Sequence, residues 1–265
     1  MAVSSTRFAA YASTVPPAPT AGDFSQCIVS SNEHTTLCWQ ICQEMMISLN
    51  TSHTDLQDLQ NIFCKFINDR GEKIRSAFPS GIDSLPGQCS RPLKGSYLPM
   101  VQALEKFEET NPSLVWELYS DAQEGFCECY RMGRTHKNEV IQLVHYTFMR
   151  NNPVPEGGLP ATIGYPVGAN LGKALEQCEY LYNSILHPQA PLQGTSQKIL
   201  ELHWWLSQAS PIMKNNDRFV EILTSALTLH RFGTIAPYKQ GVKPCQIALV
   251  TSLNEFVAGG VSLRE

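Results

Sequence analysis

The sequence is poor in charge and carries no marked excess of either sign. Charged residues are 17% of the 265, and the net charge is −4. Nothing in that balance pulls the chain toward nucleic acid or an anionic membrane. A basic stripe interleaved with aromatics, the usual nucleic-acid footprint, is also missing. No apolar run approaches the roughly 20 residues that a membrane-spanning helix needs. There is no G-x-x-x-x-G-K-[ST] phosphate loop, no G-x-S-x-G nucleophile elbow and no internal repeat. Cysteine is present, but not in a metal-binding or disulfide pattern. The nine are Cys27, Cys38, Cys42, Cys64, Cys89, Cys127, Cys129, Cys178 and Cys245. Their number is odd and they are scattered. The close pairs Cys38/Cys42 and Cys127/Cys129 lack the partners of a zinc site. They read as free thiols of a reducing cytosol.

With those classes removed, 43% hydrophobic residues indicate a globular chain with room for a sizeable core. Residues 1–25, rich in Ala, Ser, Thr and Pro, read as a disordered leader and not as a Sec-type signal peptide. Residues 26–97 read as an N-terminal helical part. Two helices within it place Leu37, Ile41, Met45 and Leu49, then Leu56, Leu59, Phe63 and Ile67, on single faces. Residues 77–99 are dense in Gly, Pro and Ser and read as an irregular connection. From 98 to 265 the pattern predicts a helical core. Helices are expected over 98–125, with a break at Asn111-Pro112, and from Thr135 through Phe148. In the latter, Val140, Leu143, Val144, Thr147 and Phe148 share one side and His136 and Glu139 share a face. His145 reads as a packed or edge histidine. Pro153 to Gly172 is the one stretch read as extended, with short segments at Thr162–Tyr165 and Pro166-Val167. A helix follows from Leu171 to Ile185, and a last one is expected beyond Gln246.

The most informative stretch runs from Gln197 to Gly233. A helix starting after Gly194, with Thr195 or Ser196 as N-cap, places Ile199, Leu202, Leu206 and Ala209 on one face. Pro211 stops it. A second helix begins near Asp217, carries the stripe Phe219, Ile222, Leu223, Ala226, Leu227 and His230, and closes at Gly233. Between them lies a short polar loop at a helix N-terminus, a geometry suited to an anion. Spacing alone equally describes an ordinary helical hairpin. Trp204 and Trp205 are adjacent and so point to different faces, one toward the core and the other toward a cleft or interface.

The segment SPIMKNNDRFVEIL, from Ser210, resembles the Fic motif HPFx[DE]GNGRxxRxL. Pro211, Asn216, Arg218 and Leu223 match at the family's spacing. LHPQAPLQ, from Leu186, and ELHWWL, from Glu201, resemble the segments that precede the motif, so the likeness runs from Leu171 to Gly233. It implies a mainly α, Fic-like helical bundle with a small β-hairpin flap before the motif. It also implies a transferase that takes a phosphate-containing donor such as ATP and modifies a hydroxyl of a protein target. In many relatives that protein is a secreted bacterial effector acting on a host protein in the host cytosol.

The departures from the motif bear on the chemistry. The general base is replaced by Ser210, whose hydroxyl takes no proton near neutral pH. The acidic Mg²⁺ ligand is replaced by Lys214, which binds no metal but offsets phosphate charge. The two glycines become Asn215 and Asp217; Asn tolerates the left-handed turn. The second arginine becomes Glu221. Like Asp217, it fits the acids that a helix dipole favours near the N-terminus. If transfer survives, Lys214, Asn215, Asn216 and Arg218 contact the donor, Ser210 positions the acceptor, and His203 on the preceding helix is either the nearest base or a packed histidine. The alternative is a catalytically dead Fic-like protein that binds a protein partner. An unrelated helical fold is the third reading. Ser120 to Gly125 also resembles the [ST]xxxE[GN] pattern of the inhibitory helix found in some relatives. Its pairing with the second arginine is lost where Glu221 stands.

Overall fold

A computed structural model describes residues 35–50, 54–67, 91–94, 98, 102, 114–119, 126–149, 158–187, 189–212, 215–236, 238–239 and 241–263. The leader over 1–25, the Ser120–Gly125 pattern and Lys214 lie outside the described residues. The fold is mainly helical and carries one antiparallel sheet. Its elements run α1 (Thr35–Leu49), α2 (Leu56–Ile67), β1 (Arg91–Lys94), β2 (Leu114–Tyr119), β3 (Phe126–Arg134), β4 (Val140–Met149) and β5 (Gly158–Gly164). They continue as α3 (Gly168–Leu186), α4 (Leu192–Ala209), α5 (Asn216–Phe232), α6 (Pro244–Val250), α7 (Leu253–Gly259) and a 3₁₀ turn (Gly260–Leu263). Among the described residues no helix is long and apolar enough to cross a membrane.

The sheet stands where parts of two helices were expected. Its order is β1-β5-β4-β3-β2. Part of the 98–125 segment is β2, and the stretch from Thr135 is a turn followed by β4. A β-bulge accounts for the second misreading. Tyr130 pairs with His145 and Met132 with Gln142, so Arg131 alone faces both Leu143 and Val144. An extra residue in one strand keeps two successive side chains on one side. Ile141, Leu143, Val144 and Tyr146 are consequently all buried, a spacing that imitates a helical face. The supposed helix start at Thr135 is the hairpin tip, where the Asn138 N–H donates to Thr135 O and Asn138 is left-handed. His136 and Glu139 therefore share a turn and no helix face. The His136 ring stacks on Tyr180 of α3, and ion pairs Lys137–Glu176 and Lys173–Glu139 fasten the tip to α3. β1 falls within the stretch expected to be an irregular connection and pairs with β5. His145 packs over Gly164, where an added Cβ would stand 2.1 Å from the imidazole.

The helices follow their sequence periodicity. Cys38, Ile41, Cys42, Met45 and Leu49 bury one face of α1, and Leu56, Leu59, Phe63 and Ile67 one face of α2. Both belong to the same hydrophobic core as α3–α7. α4 lies at the centre, packed against α3, α5, α6, α7 and β4. From Leu202 to Ala209 every residue of α4 is buried, as expected for a helix enclosed on all sides. Its start differs from the expected N-cap: Thr195 Oγ1 donates back to Pro191 O at 2.7 Å, and the chain bends at Gly194 with φ +90°.

Both tryptophans are buried, so neither lines a cleft. They meet edge to face with centroids 5.5 Å apart. Trp205 reaches Gly133, where a Cβ would come within 2.8 Å of the indole and 2.6 Å of Leu143. The carbonyl end of α6 is held from two sides. Trp204 Nε1 donates to Thr251 O (3.0 Å) and Gln208 Nε2 to Ala248 O (2.8 Å). Tyr146 Oη and Arg131 Nη2 both donate to Leu249 O, at 3.0 and 3.4 Å. These donors satisfy carbonyls that a helix leaves open at its C-terminus, and the buried guanidinium also meets the negative end of the dipole.

Candidate functional site

The loop between α4 and α5 is built from two left-handed residues. Ser210 ends α4 at φ 47°, ψ 62°, its N–H donating to Leu206 O at 3.0 Å. A left-handed conformation costs a non-glycine residue about 1–2 kcal/mol, so the surroundings must hold it. They do: Ser210, Pro211 and Ile212 are all buried. Ser210 Oγ donates to Ile212 O at 3.3 Å. The hydroxyl at the motif's base position therefore faces into the protein.

Asn215 is the second left-handed residue (φ 55°, ψ 27°). It precedes α5 with no side-chain cap of its own, in a left-handed conformation that asparagine tolerates better than most residues. The bracing falls to Asn216. Its Oδ1 accepts from Ile212 N at 3.3 Å and its Nδ2 donates to Leu206 O at 3.1 Å. One side chain thus ties the loop's middle to the end of α4 and wraps the loop across the start of α5. Asp217 is exposed and Arg218 half-buried. Among the described residues Arg218 has neither an ion pair nor a side-chain hydrogen bond. Glu221 is buried at 5% exposure, and its charge bears on the Cys245 thiol. It therefore sits inside the protein, away from the exposed face where first-turn acids usually lie.

His203 is 1% exposed and belongs to a buried polar chain that sequence reasoning missed. Its Nδ1 lies 3.3 Å from Thr224 Oγ1 and its Nε2 lies 3.4 Å from Cys245 Sγ. Thr224 Oγ1 donates to Val220 O at 2.8 Å, so its oxygen accepts from the imidazole. That places the Nδ1 proton on the Thr224 side. Burial above all, then the charges of Glu221 and Asp217, push the Cys245 thiol well above the ordinary range, and its sulfur also donates to Asp217 O at 3.7 Å. Both imidazole nitrogens are thus engaged in a chain from Cys245 through His203 and Thr224 to the backbone. Proton abstraction needs a free nitrogen within reach of a substrate, and His203 offers none. The only sequence signal for this chain was helical spacing of His203 and Thr224 toward the shared interface; Cys245 comes from a distant segment.

Of the residues singled out from sequence, the structure brings Ser210, Asn215, Asn216 and Arg218 to one loop and places His203 in the interface behind it. The five cysteines whose side chains are described are free thiols. Among the described residues no group of three or more His, Cys, Asp or Glu side chains could hold a metal ion. No protein-family model matches the chain, and no curated protein matches it.

Proposed function

We propose that the chain is a Fic-like protein without transfer chemistry, which acts by binding a protein partner. One observation carries this reading: the Ser210 and Asn216 side chains of the motif loop are engaged within the fold. Ser210 Oγ is buried on Ile212 O, and both ends of the Asn216 amide are committed to Ile212 and Leu206. The nearest histidine has both nitrogens occupied. A hydroxyl acceptor arriving at the loop would find Ser210 and the nearest histidine already engaged, and a donor phosphate would find the Asn216 amide already committed.

A second reading keeps a phosphate-binding role for the same loop. It rests on Arg218, half-buried in the first turn of α5 and without a described partner. The positive end of the helix dipole supports an anion there. Calorimetry with ATP, UTP, GTP and a nucleotide sugar, with and without Mg²⁺, separates the two readings when run on the wild type and on Arg218→Ala. The binding-module reading expects no heat of binding with any of them. Binding that disappears in Arg218→Ala would make the loop a working phosphate site and restore a diverged, nucleotide-dependent transferase as the better account.

A further inference from the structure

A cavity of about 390 Å³ opens between the N-terminal half of α4, the C-terminal half of α5 and the chain that follows α5. That volume lies within the range of small-molecule sites. No described residue of the loop 210–218 lines it, so it is separate from the site discussed above. Its walls come from segments far apart in sequence. Leu200 and His203 belong to α4, Thr224, Thr228 and Phe232 to α5, and Tyr238 to the chain beyond. Two features close it at the far side. Lys239 N donates to Leu263 O at 3.0 Å, pinning the Tyr238 segment to the 3₁₀ turn. Gly260 lets that turn approach α4; a Cβ there would stand 2.2 Å from Leu200 Cδ1.

The chemistry of the walls restricts the occupant. Among the described lining residues there is no Asp, Glu, Lys or Arg. Both ring nitrogens of His203 are already turned to Thr224 Oγ1 and Cys245 Sγ. A charged ligand would lose its hydration without gaining a counter-charge. The two threonine hydroxyls of α5 already use their protons: Thr228 Oγ1 donates to Thr224 O at 2.6 Å, and Thr224 Oγ1 to Val220 O. The Thr228 oxygen remains as an acceptor, so a ligand complementary to this wall brings a donor. Phe232 and Tyr238 supply aromatic surface for its body.

We propose that this cavity binds a small, uncharged aromatic molecule that carries a hydrogen-bond donor, with Thr228 as the accepting group. The test uses the full chain with labelled Ile, Leu and Thr methyl groups, observed by NMR. The probes are indole and p-cresol, with 4-hydroxybenzoate as a probe of similar shape that carries a charge. Saturable shifts at Ile199, Leu200, Thr224 and Thr228 are expected with the neutral probes, and affinity at least about tenfold weaker for 4-hydroxybenzoate. Thr228→Val keeps the shape, removes the acceptor and should weaken p-cresol several-fold. Ala236→Leu narrows the cavity from the opposite wall and should weaken both neutral probes. The proposal is overturned if neither neutral probe gives saturable shifts up to about 10 mM. It is equally overturned if the charged probe binds as well, or if either variant binds like the wild type.

Discussion

Asn216 gives the sharpest distinction between a loop built to hold itself and a loop built to hold phosphate. In Asn216→Ala the Ile212 N–H loses the Oδ1 acceptor at 3.3 Å, and Leu206 O loses the Nδ2 donor at 3.1 Å. The two losses are unequal. Leu206 O still accepts from Ser210 N at 3.0 Å, whereas Ile212 is fully buried and no other bond to its N–H is described. Leaving one buried donor unsatisfied costs about 1–3 kcal/mol. Taking about 1.5 kcal/mol, the melting temperature of a chain this size should fall by about 3–6 °C. Asn216→Asp keeps an acceptor for Ile212 at the positive end of the helix dipole but sets a carboxylate oxygen against Leu206 O, so it too should melt below the wild type. Both variants are read by calorimetric melting against the wild type. If Asn216→Ala melts with the wild type, the bracing role is wrong and the amide is available for a ligand.

Three further outcomes follow from the packing. Gly133→Ala places a methyl against Leu143 and Trp205 at less than van der Waals separation. Overpacking of this kind costs about 2 kcal/mol, to be measured by denaturant unfolding. Cys245 should resist a thiol reagent in the native protein while half-buried Cys64 reacts, and both should react once the chain is unfolded. Peptide mapping checks this, and modification of native Cys245 at the rate of Cys64 would contradict the buried, protonated thiol. Burial, and secondarily Arg231, hold the His230 imidazole below the ordinary value of 6.5. The unfolded chain therefore binds this proton first. The His230 contribution is complete above about pH 6.5 and declines as pH falls from there through the folded midpoint. An NMR titration should place that midpoint below the one measured in denaturant, and His230→Gln should flatten this part of the pH dependence.

Part of the helical framework was legible in the sequence because α1 and α2 each bury one stripe. Leu56, Leu59, Phe63 and Ile67 of α2 are buried as their spacing predicts. In α5 Phe219, Ile222, Leu223, Ala226 and Leu227 are buried together with every residue between Phe219 and Leu227, and His230 only in part. The left-handed Asn215 and the closing Gly233 were legible from the conformations those residues tolerate. The sheet was not. The bulge at Leu143–Val144 breaks the alternation that marks a strand, and Thr135 to Glu139 carries the residues of a helix start while forming a hairpin tip. The Trp204/Trp205 expectation failed because α4 is enclosed on every side, a property of its neighbours and not of its own pattern. In the loop, the residue types were visible from the start. Their hydrogen-bond partners were not: Leu206 and Ile212 offer only backbone atoms to Asn216, and backbone partners leave no mark in a sequence. The link from His203 to Cys245 spans separate segments and carries no local signal.

The most direct test of the central claim is a transfer assay. The full chain would be incubated with a eukaryotic cell extract and, in turn, isotope-labelled ATP, GTP, UTP and a nucleotide sugar in the presence of Mg²⁺. Labelled proteins would be read by gel and mass spectrometry beside Arg218→Ala. A loop whose serine and asparagine are engaged within the fold predicts no label above that of Arg218→Ala. A labelled protein that appears with the wild type and vanishes in Arg218→Ala would contradict the account and show that the loop still carries out transfer.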